Sequence, residues 1–167
     1  MPENFTEIES GLEFEFLIKT YNFDDRDSFY ENNKFCGNSG VDFLMMDSEN
    51  IYFLEVKDGR YFDVENDRLD EKVCNVYSKF IDSVSLIILS NDDEIKPYQV
   101  RLKNQLPKLL LFIAKNLPPD RKIILYERIN KYMKKKLKRL NHNIDFHIEM
   151  LSLYNDKLYK ISETSEI

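Results

Sequence analysis

The sequence has no long apolar run, and this shortage excludes proteins that cross a membrane through an apolar helix. No stretch approaches the roughly 20 consecutive apolar residues that a membrane-spanning helix needs. The first residues, MPENFTE, also lack the basic and then apolar order of a secretion signal. The sequence therefore predicts a soluble, cytoplasmic protein that has no membrane partner.

Cysteine is also scarce. The only two, Cys36 and Cys74, are far apart in the chain, and neither has a second thiol or a histidine at the spacing of a metal site. We therefore expect two free thiols, with a single disulfide between them as the alternative. Neither cysteine is a candidate site residue.

The chain does have enough apolar residues for one core, together with an uneven distribution of charge. Its 167 residues, of which 43% are hydrophobic, suit a single domain. The net charge is −6, but residues 96–141 contain 14 lysines and arginines against two acidic residues. Such a local excess of positive charge favours a polyanionic partner. A lysine-rich helix whose charges only face solvent is the alternative.

Apolar spacing predicts an α/β fold whose elements follow the order αβββαβ. Helical spacing predicts a helix over residues 5–22 and another over 67–81. Strands are expected over 28–35, 41–46 and 51–56, with the polar residues 47–50 as the turn between the last two. The continuous apolar run 84–89 is typical of a strand buried on both faces.

The later residues are expected to form a basic helical and hairpin extension, about residues 96–161, on a core of about 5–90. A helix is expected over 98–116, kinked or split by Pro107. Residues 121–126 suit either a strand or the start of a helix that continues to 140. Two further strands, 144–154 and 157–161, are expected to form a hairpin before a frayed tail.

Charged residues occur inside two of the predicted strands. Asp42 lies near the start of one, and Glu55 and Lys57 lie at the end of the next. Side chains alternate along a strand, so Glu55 and Lys57 share a face, and antiparallel pairing would bring Asp42 beside Glu55. Two carboxylates suit Mg²⁺ together with a substrate phosphate. The alternative is an exposed ion pair at a strand end, with Asp42 as a turn residue.

These residues resemble the motifs of a known family. Gly40-Val41-Asp42 and Glu55-Val56-Lys57 are similar in order and spacing to the signature of the PD-(D/E)XK, or restriction-endonuclease-like, nucleases. That signature is an acid near the start of the second core strand and an E-x-K or D-x-K on the third, within an αβββαβ core. Gly11-Leu12-Glu13-Phe14-Glu15 resembles the G-x-x-F-E of archaeal Holliday-junction resolvases and methylation-dependent restriction enzymes. The resemblance covers about residues 11–89 and lacks a glutamine-plus-aromatic motif on the following helix.

The resemblance implies a Mg²⁺- or Mn²⁺-dependent nuclease that hydrolyses phosphodiester bonds by activated-water attack. It implies that Asp42, Glu55 and the main-chain carbonyl of Val56 hold the metal. Lys57 would position the nucleophile, and Glu15 would assist as an outer or direct ligand. An endonuclease acting on DNA is favoured, with RNA as the alternative, and nucleases of this type are often homodimers when they cut two strands.

The basic helix is expected to contact phosphates without distinguishing nucleotide sequence. Its expected nucleic-acid-binding residues are Arg128, Lys131, Lys134, Lys135, Lys136, Lys138 and Arg139. Two other functions stay open. One is a non-catalytic nucleic-acid-binding or assembly module of the same fold, and the other is a protein-interaction domain whose basic helix meets an acidic partner. The presence of Asp42, Glu55 and Lys57 together favours the enzyme.

Overall fold

The computed structural model describes residues 4–7, 12–23, 40–62, 68–114, 118–141 and 143–163. These residues form an α/β structure with two sheets. The strands are β1 (Asn4–Glu7), β2 (Leu12–Phe16), β3 (Lys19–Asn22), β4 (Phe43–Met46), β5 (Ile51–Lys57), β6 (Lys108–Ile113), β7 (Phe146–Met150) and β8 (Tyr159–Glu163). The helices are α1 (Leu69–Leu89), α2 (Lys96–Asn104) and α3 (Pro119–Leu137), and a short 3-10 turn covers Gly59–Phe62.

The larger sheet is mixed and has the order β3-β4-β5-β6-β7. Strands β3, β4 and β5 are antiparallel, whereas β5, β6 and β7 run parallel to one another. The parallel strands need crossover connections, and the helices supply them: α1 and α2 join β5 to β6, and α3 joins β6 to β7. The predicted α/β class and the hairpin of β4 and β5 are confirmed.

The smaller sheet is antiparallel, has the order β1-β2-β8, and packs on one face of the larger sheet. The ring of Phe14 in β2 lies 6.0 Å from that of Phe43 in β4 and 5.4 Å from that of Phe112 in β6. The opposite face of the larger sheet packs against the helices, through residues such as Phe53 of β5 and Phe80 of α1. The larger sheet is therefore covered on both faces.

The predicted first helix is wrong, because residues 4–7, 12–16 and 19–22 form three strands. Leu12 and Phe16 are four residues apart, which suits a helix, but Phe14 between them is also fully buried. Glu13 and Glu15 are only half-buried, so burial alternates with a period of two. That period is the pattern of a strand with one buried face.

The predicted strand 84–89 is also wrong, because these residues form the last turns of α1. Leu86 and Ile87 are buried, whereas the side chains of Ile88 and Leu89 are about three-fifths exposed, at 61% and 60%. The apolar run therefore does not reflect burial on both faces. It extends the apolar face of α1 beyond the end predicted for that helix, with exposed apolar residues at its end.

The predicted helix 98–116 is correct only in its first part. Helix α2 ends at Asn104, before Pro107, and β6 then lies between β5 and β7 in the larger sheet. Pro107 thus separates a helix from a strand rather than kinking a helix, in accord with its missing amide hydrogen. The undecided residues 121–126 are helical, within α3.

The terminal hairpin is wrong in its pairing. Strand β7 pairs with β6 in the larger sheet, whereas β8 pairs with β2 in the smaller sheet. Strands β6 and β7, which were expected to belong to an extension, thus supply two of the five strands of the larger sheet. The predicted strand 28–35, Cys36 and residues 164–167 of the predicted tail 162–167 lie outside the described residues, whereas residues 162 and 163 belong to β8. Cys74 is a free thiol.

Among the described residues, no helix is both long enough and apolar enough to cross a membrane.

Candidate functional site

Asp42 lies immediately before β4, at the edge of the β4–β5 pairing. The last paired residues of the two strands are Phe43 and Leu54, so the amide of Val56 lies beyond the end of β4. The Asp42 carboxylate supplies the acceptor that β4 would supply if it were longer: its Oδ2 accepts a hydrogen bond of 2.6 Å from the Val56 amide. This contact fixes one carboxylate oxygen and leaves Oδ1 for other partners.

Glu55 lies near the end of β5 and its side chain is fully buried. Ile51 and Phe53 of the same strand pack against the helices, and the period of two puts Glu55 and Lys57 on that face as well. The ammonium nitrogen of Lys57 lies 2.6 Å from Oε1 of Glu55. Three of the predicted site residues, Asp42, Glu55 and Lys57, are thus brought together at the end of β5.

A second lysine, which the sequence analysis missed, enters the same cluster from α1. The ammonium nitrogen of Lys79 lies 2.8 Å from Oε1 of Glu55 and 3.8 Å from Oδ1 of Asp42. The signal for it was present in the sequence. Val76 and Ser83 are both buried, and Lys79 lies three residues after one and four before the other, on the same stripe of the helix.

Ser83 connects α1 to the chain that precedes Asp42. Its hydroxyl accepts a hydrogen bond of 2.8 Å from the amide of Val41 and donates one of 2.8 Å to the carbonyl of Lys79. One buried hydroxyl thus fixes the backbone next to Asp42 relative to the backbone that carries Lys79. The sequence predicts a strand from residue 84, and Ser83 is not among the site residues that it predicts.

The electrostatics of the cluster are those of two carboxylates facing two ammonium groups. Burial raises the pKa of Asp42 well above its usual value, and the charge of Glu55 raises it further. Lys79, the Val56 amide and Lys57 oppose that rise. The formal charges of Asp42, Glu55, Lys57 and Lys79 sum to zero, so the cluster is internally compensated.

The carboxylate of Glu55 is the least satisfied polar group of the cluster. Among the described residues, neither of its oxygens has a hydrogen-bond partner with acceptable angles, although two ammonium nitrogens lie within ion-pair distance of Oε1. A buried carboxylate oxygen without a hydrogen bond is costly unless a cation satisfies it. Oxygen donors of this kind, with Oδ1 of Asp42 beside them, fit a hard divalent cation.

In the part of the chain that the structure describes, no group of three or more His, Cys, Asp or Glu side chains is arranged to hold a metal ion. The ligand set expected from the sequence has only two carboxylates, with a main-chain carbonyl as the third ligand. The side chain of Val56, the residue expected to supply that carbonyl, faces the smaller sheet.

Glu15 is not part of this cluster. It lies on β2, in the smaller sheet, where it pairs with Asn4 on one side and Lys160 on the other. Phe14 and Phe16 face the larger sheet, so Glu15 points away from that sheet, whereas Glu55 faces the helices on the far side. The helix that was expected to present Glu15 to the metal is absent from residues 12–22.

An aromatic residue lies beside the cluster. The ring centre of Tyr61, in the 3-10 turn after β5, lies 5.1 Å from the ammonium nitrogen of Lys57 and 4.3 Å from that of Lys72 on α1. Both distances suit a cation–π contact. Tyr61 thus contributes to holding Lys57 next to Glu55.

The expected phosphate-binding residues are found on and just beyond α3. Its apolar side packs inward through Ile129, Met133 and Leu137. Of the seven basic residues, five are exposed and two, Arg128 and Lys136, are half-buried; the exposed ones are Lys131, Lys134, Lys135, Lys138 and Arg139. Lys136 is directed at the ring of Tyr77 on α1, 5.7 Å from its centre. The basic residues thus differ in how freely they can meet a partner.

Comparison with known proteins gives no further guide to this site. No family model matches the chain, and no curated protein or solved structure matches it.

Proposed function

We propose that this chain is a metal-dependent nuclease of the PD-(D/E)XK type that hydrolyses phosphodiester bonds, with DNA as the favoured substrate. The observation that carries the proposal is the convergence of Asp42, Glu55 and Lys57 in one buried cluster at the end of β5. Lys79 joins the two carboxylates by contacting both. A protein rarely buries two carboxylates beside two ammonium groups without a functional reason, since burial of charge is costly.

The arrangement of the strands gives further support. From β3 onward the described residues have three antiparallel strands, two helices and then a strand in the same sheet, which resembles βββαβ of the αβββαβ order of that family with one helix added. The acid precedes the second of these strands and the E-x-K ends the third. The first helix of that order has no counterpart in residues 12–22, so Glu15 is left out of the proposed site.

Each residue of the cluster then has a role. Asp42 and Glu55 offer carboxylate oxygens to the cation, and the amide of Val56 orients Asp42. A divalent cation, when bound, would lower the pKa of a water molecule and neutralise charge on the phosphodiester. Lys57, held between Glu55 and Tyr61, would orient the attacking water. The exposed bases of α3 would hold substrate phosphates.

The test is a cleavage assay with linear, circular, branched and single-stranded substrates in Mg²⁺ or Mn²⁺. We expect Glu55→Gln and Lys57→Ala to lower the cleavage rate at least about a hundredfold while substrate affinity persists. Glu71→Gln on α1 and Lys103→Ala on α2 are the matched controls, because both side chains are exposed. Equal cleavage by parent and both site variants, with contaminating nuclease excluded, contradicts the proposal.

The internal charge balance of the cluster favours a second candidate, a nucleic-acid-binding module that does not cut. Lys57 and Lys79 already neutralise Asp42 and Glu55 without a metal. In that case the parent protein binds nucleic acid but shows no metal-dependent cleavage of any of these substrates.

A further inference from the structure

Lys79 occupies the place where the two carboxylates face each other. Its ammonium nitrogen is 2.8 Å from Oε1 of Glu55 and 3.8 Å from Oδ1 of Asp42. The other oxygen of Asp42 is held by the amide of Val56, so Oδ1 is the oxygen left to face a cation. One positive charge between two carboxylates is the arrangement expected of a bridging ion.

We propose that Lys79 is a built-in counterion, which together with Lys57 neutralises Asp42 and Glu55 in the metal-free protein and which withdraws when a divalent cation binds. This inference rests on the proposed function, because it concerns the same carboxylates. Mg²⁺ binds its oxygen ligands at about 2.0–2.1 Å. A metal on Oε1 of Glu55 would therefore lie close to the ammonium groups of Lys57 and Lys79, which are now 2.6 Å and 2.8 Å from that oxygen, and Lys79 is the one that also lies 3.8 Å from Oδ1 of Asp42. Two cations at such a distance repel each other strongly in a buried site.

The backbone of Lys79 is fixed within α1, whereas its side chain is in part exposed to solvent. Ser83 holds the carbonyl of Lys79, and α1 is continuous through both residues. The side chain is 20% exposed, so solvent is within reach of its flexible four-carbon stem. Lys57 contacts Glu55 and lies over the ring of Tyr61. Withdrawal of Lys79 thus leaves Lys57 beside the carboxylates.

The test is the Mn²⁺ affinity of variants, measured by titration calorimetry on the full chain without substrate. We expect Lys79→Met to bind Mn²⁺ at least about tenfold more tightly than the parent, because it removes the competing charge. Lys79→Arg should bind Mn²⁺ more weakly, because a guanidinium holds carboxylates through two parallel hydrogen bonds. Lys79→Gln serves in place of Lys79→Met if the latter does not fold.

Lys72→Met is the matched control. Lys72 lies on the same helix, but it contacts the ring of Tyr61. We expect it to leave the Mn²⁺ affinity unchanged. A merely structural role for Lys79 would weaken Mn²⁺ binding in both Lys79 variants, whereas a counterion moves the affinity in opposite directions.

The outcomes separate this inference from the proposed nuclease activity. If the parent and Lys79→Met bind Mn²⁺ equally and the parent shows metal-dependent cleavage, Lys79 is not a counterion but the proposed nuclease activity stands. If Lys79→Met binds Mn²⁺ more tightly but the parent does not cleave, the counterion role of Lys79 stands and the proposed nuclease activity is contradicted. Absence of Mn²⁺ binding by every variant overturns the counterion, and the cleavage assay then decides the nuclease.

Discussion

Ser83 joins the two halves of the candidate site through one hydroxyl group. It accepts from the amide of Val41, next to Asp42, and donates to the carbonyl of Lys79. Neither contact involves a charged group, so Ser83 acts on the site only through position. Small displacements of reacting groups have large effects on rate, so a residue with this role is testable by activity as well as by stability.

We expect Ser83→Ala to lower the free energy of unfolding by about 1–3 kcal/mol, because the amide of Val41 loses its buried partner. Cleavage should slow by about ten- to a hundredfold as Asp42 loses its fixed position. Denaturant titration and cleavage rates at saturating metal measure the two effects.

Ser85→Ala is the control for this prediction, since Ser85 is an exposed serine on the same helix that bonds only the carbonyl of Ile81 among the contacts observed. Its stability should change by less than about 0.5 kcal/mol. Similar losses in the Ser83 and Ser85 variants would contradict the positioning role.

Whether a site residue could be predicted from the sequence depends on how close in the chain its partners lie. The sequence was enough to place Asp42, Glu55 and Lys57 together, because the turn between β4 and β5 and the two-residue period of a strand bring them close. Lys79 is remote from them in sequence and becomes a neighbour only when α1 packs on the sheet. The prediction for Glu15 was wrong because residues 12–16 form a strand and not a helix. The side chain of Glu15 therefore points away from the larger sheet.

Among the elements, the β4–β5 hairpin was predictable and the ends of α1 and α2 were not. The turn Asp47–Asn50 is fixed locally: Oδ1 of Asp47 accepts from the amides of Glu49 and Asn50. The end of α1 depends on tertiary packing, because the apolar residues 84–89 suit a strand or a helix by composition alone. Strand β6 was hidden in the same way, since its apolar run continues a helical pattern past Pro107.

Helix α3 is the element with the clearest expected partner. Lys131, Lys135 and Lys138 are exposed and lie three and four residues apart, so they share one face. Lys136 belongs to another face, near Tyr77. The first three are therefore the better probes of phosphate contacts, because their replacement leaves the packing of α3 on α1 intact.

We expect the triple variant Lys131→Gln, Lys135→Gln, Lys138→Gln to bind nucleic acid more weakly, whatever the sequence of the substrate. Each lost phosphate contact should reduce the slope of log affinity against log salt by roughly 0.7 to 0.9. Titrations at several salt concentrations in Ca²⁺, chosen to suppress cleavage, measure this slope.

The control is a second triple variant, Lys103→Gln, Lys157→Gln, Lys160→Gln, with the same change in net charge at exposed positions outside α3. Its slope should stay close to that of the parent. An unchanged slope in the α3 variant would show that its lysines only face solvent.

At the scale of the whole molecule, the larger sheet separates two kinds of packing. The helices and the candidate site lie on one face, and the smaller sheet lies on the other. A buried hydrogen bond joins the two sheets: the hydroxyl of Tyr159 in β8 donates to the carboxylate of Glu149 in β7. Burial raises the pKa of Glu149, and the bond from Tyr159 opposes that rise. Strand β8 thus helps the smaller sheet to cover the face opposite the site.

This separation predicts that stability and activity can be changed independently. Phe14 is fully buried between the sheets, with its ring near those of Phe43, Phe112 and Tyr159. Phe14→Ala should lower the free energy of unfolding by about 3–5 kcal/mol, because it removes these contacts and leaves a cavity. Phe14→Leu, a milder change, covers the case in which the alanine variant does not fold.

The cleavage rate of the folded protein should nevertheless stay close to that of the parent, because the site is on the other face of the sheet. Denaturant titration and cleavage at low temperature, corrected for the folded fraction, measure the two quantities. Leu17→Ala is the control, since that side chain is 39% exposed. Ser83→Ala should thus lose more cleavage activity than Phe14→Ala, whereas Phe14→Ala should lose more free energy of unfolding than Ser83→Ala. A Phe14 variant that is folded but loses cleavage as Ser83→Ala does would show that the two faces are coupled.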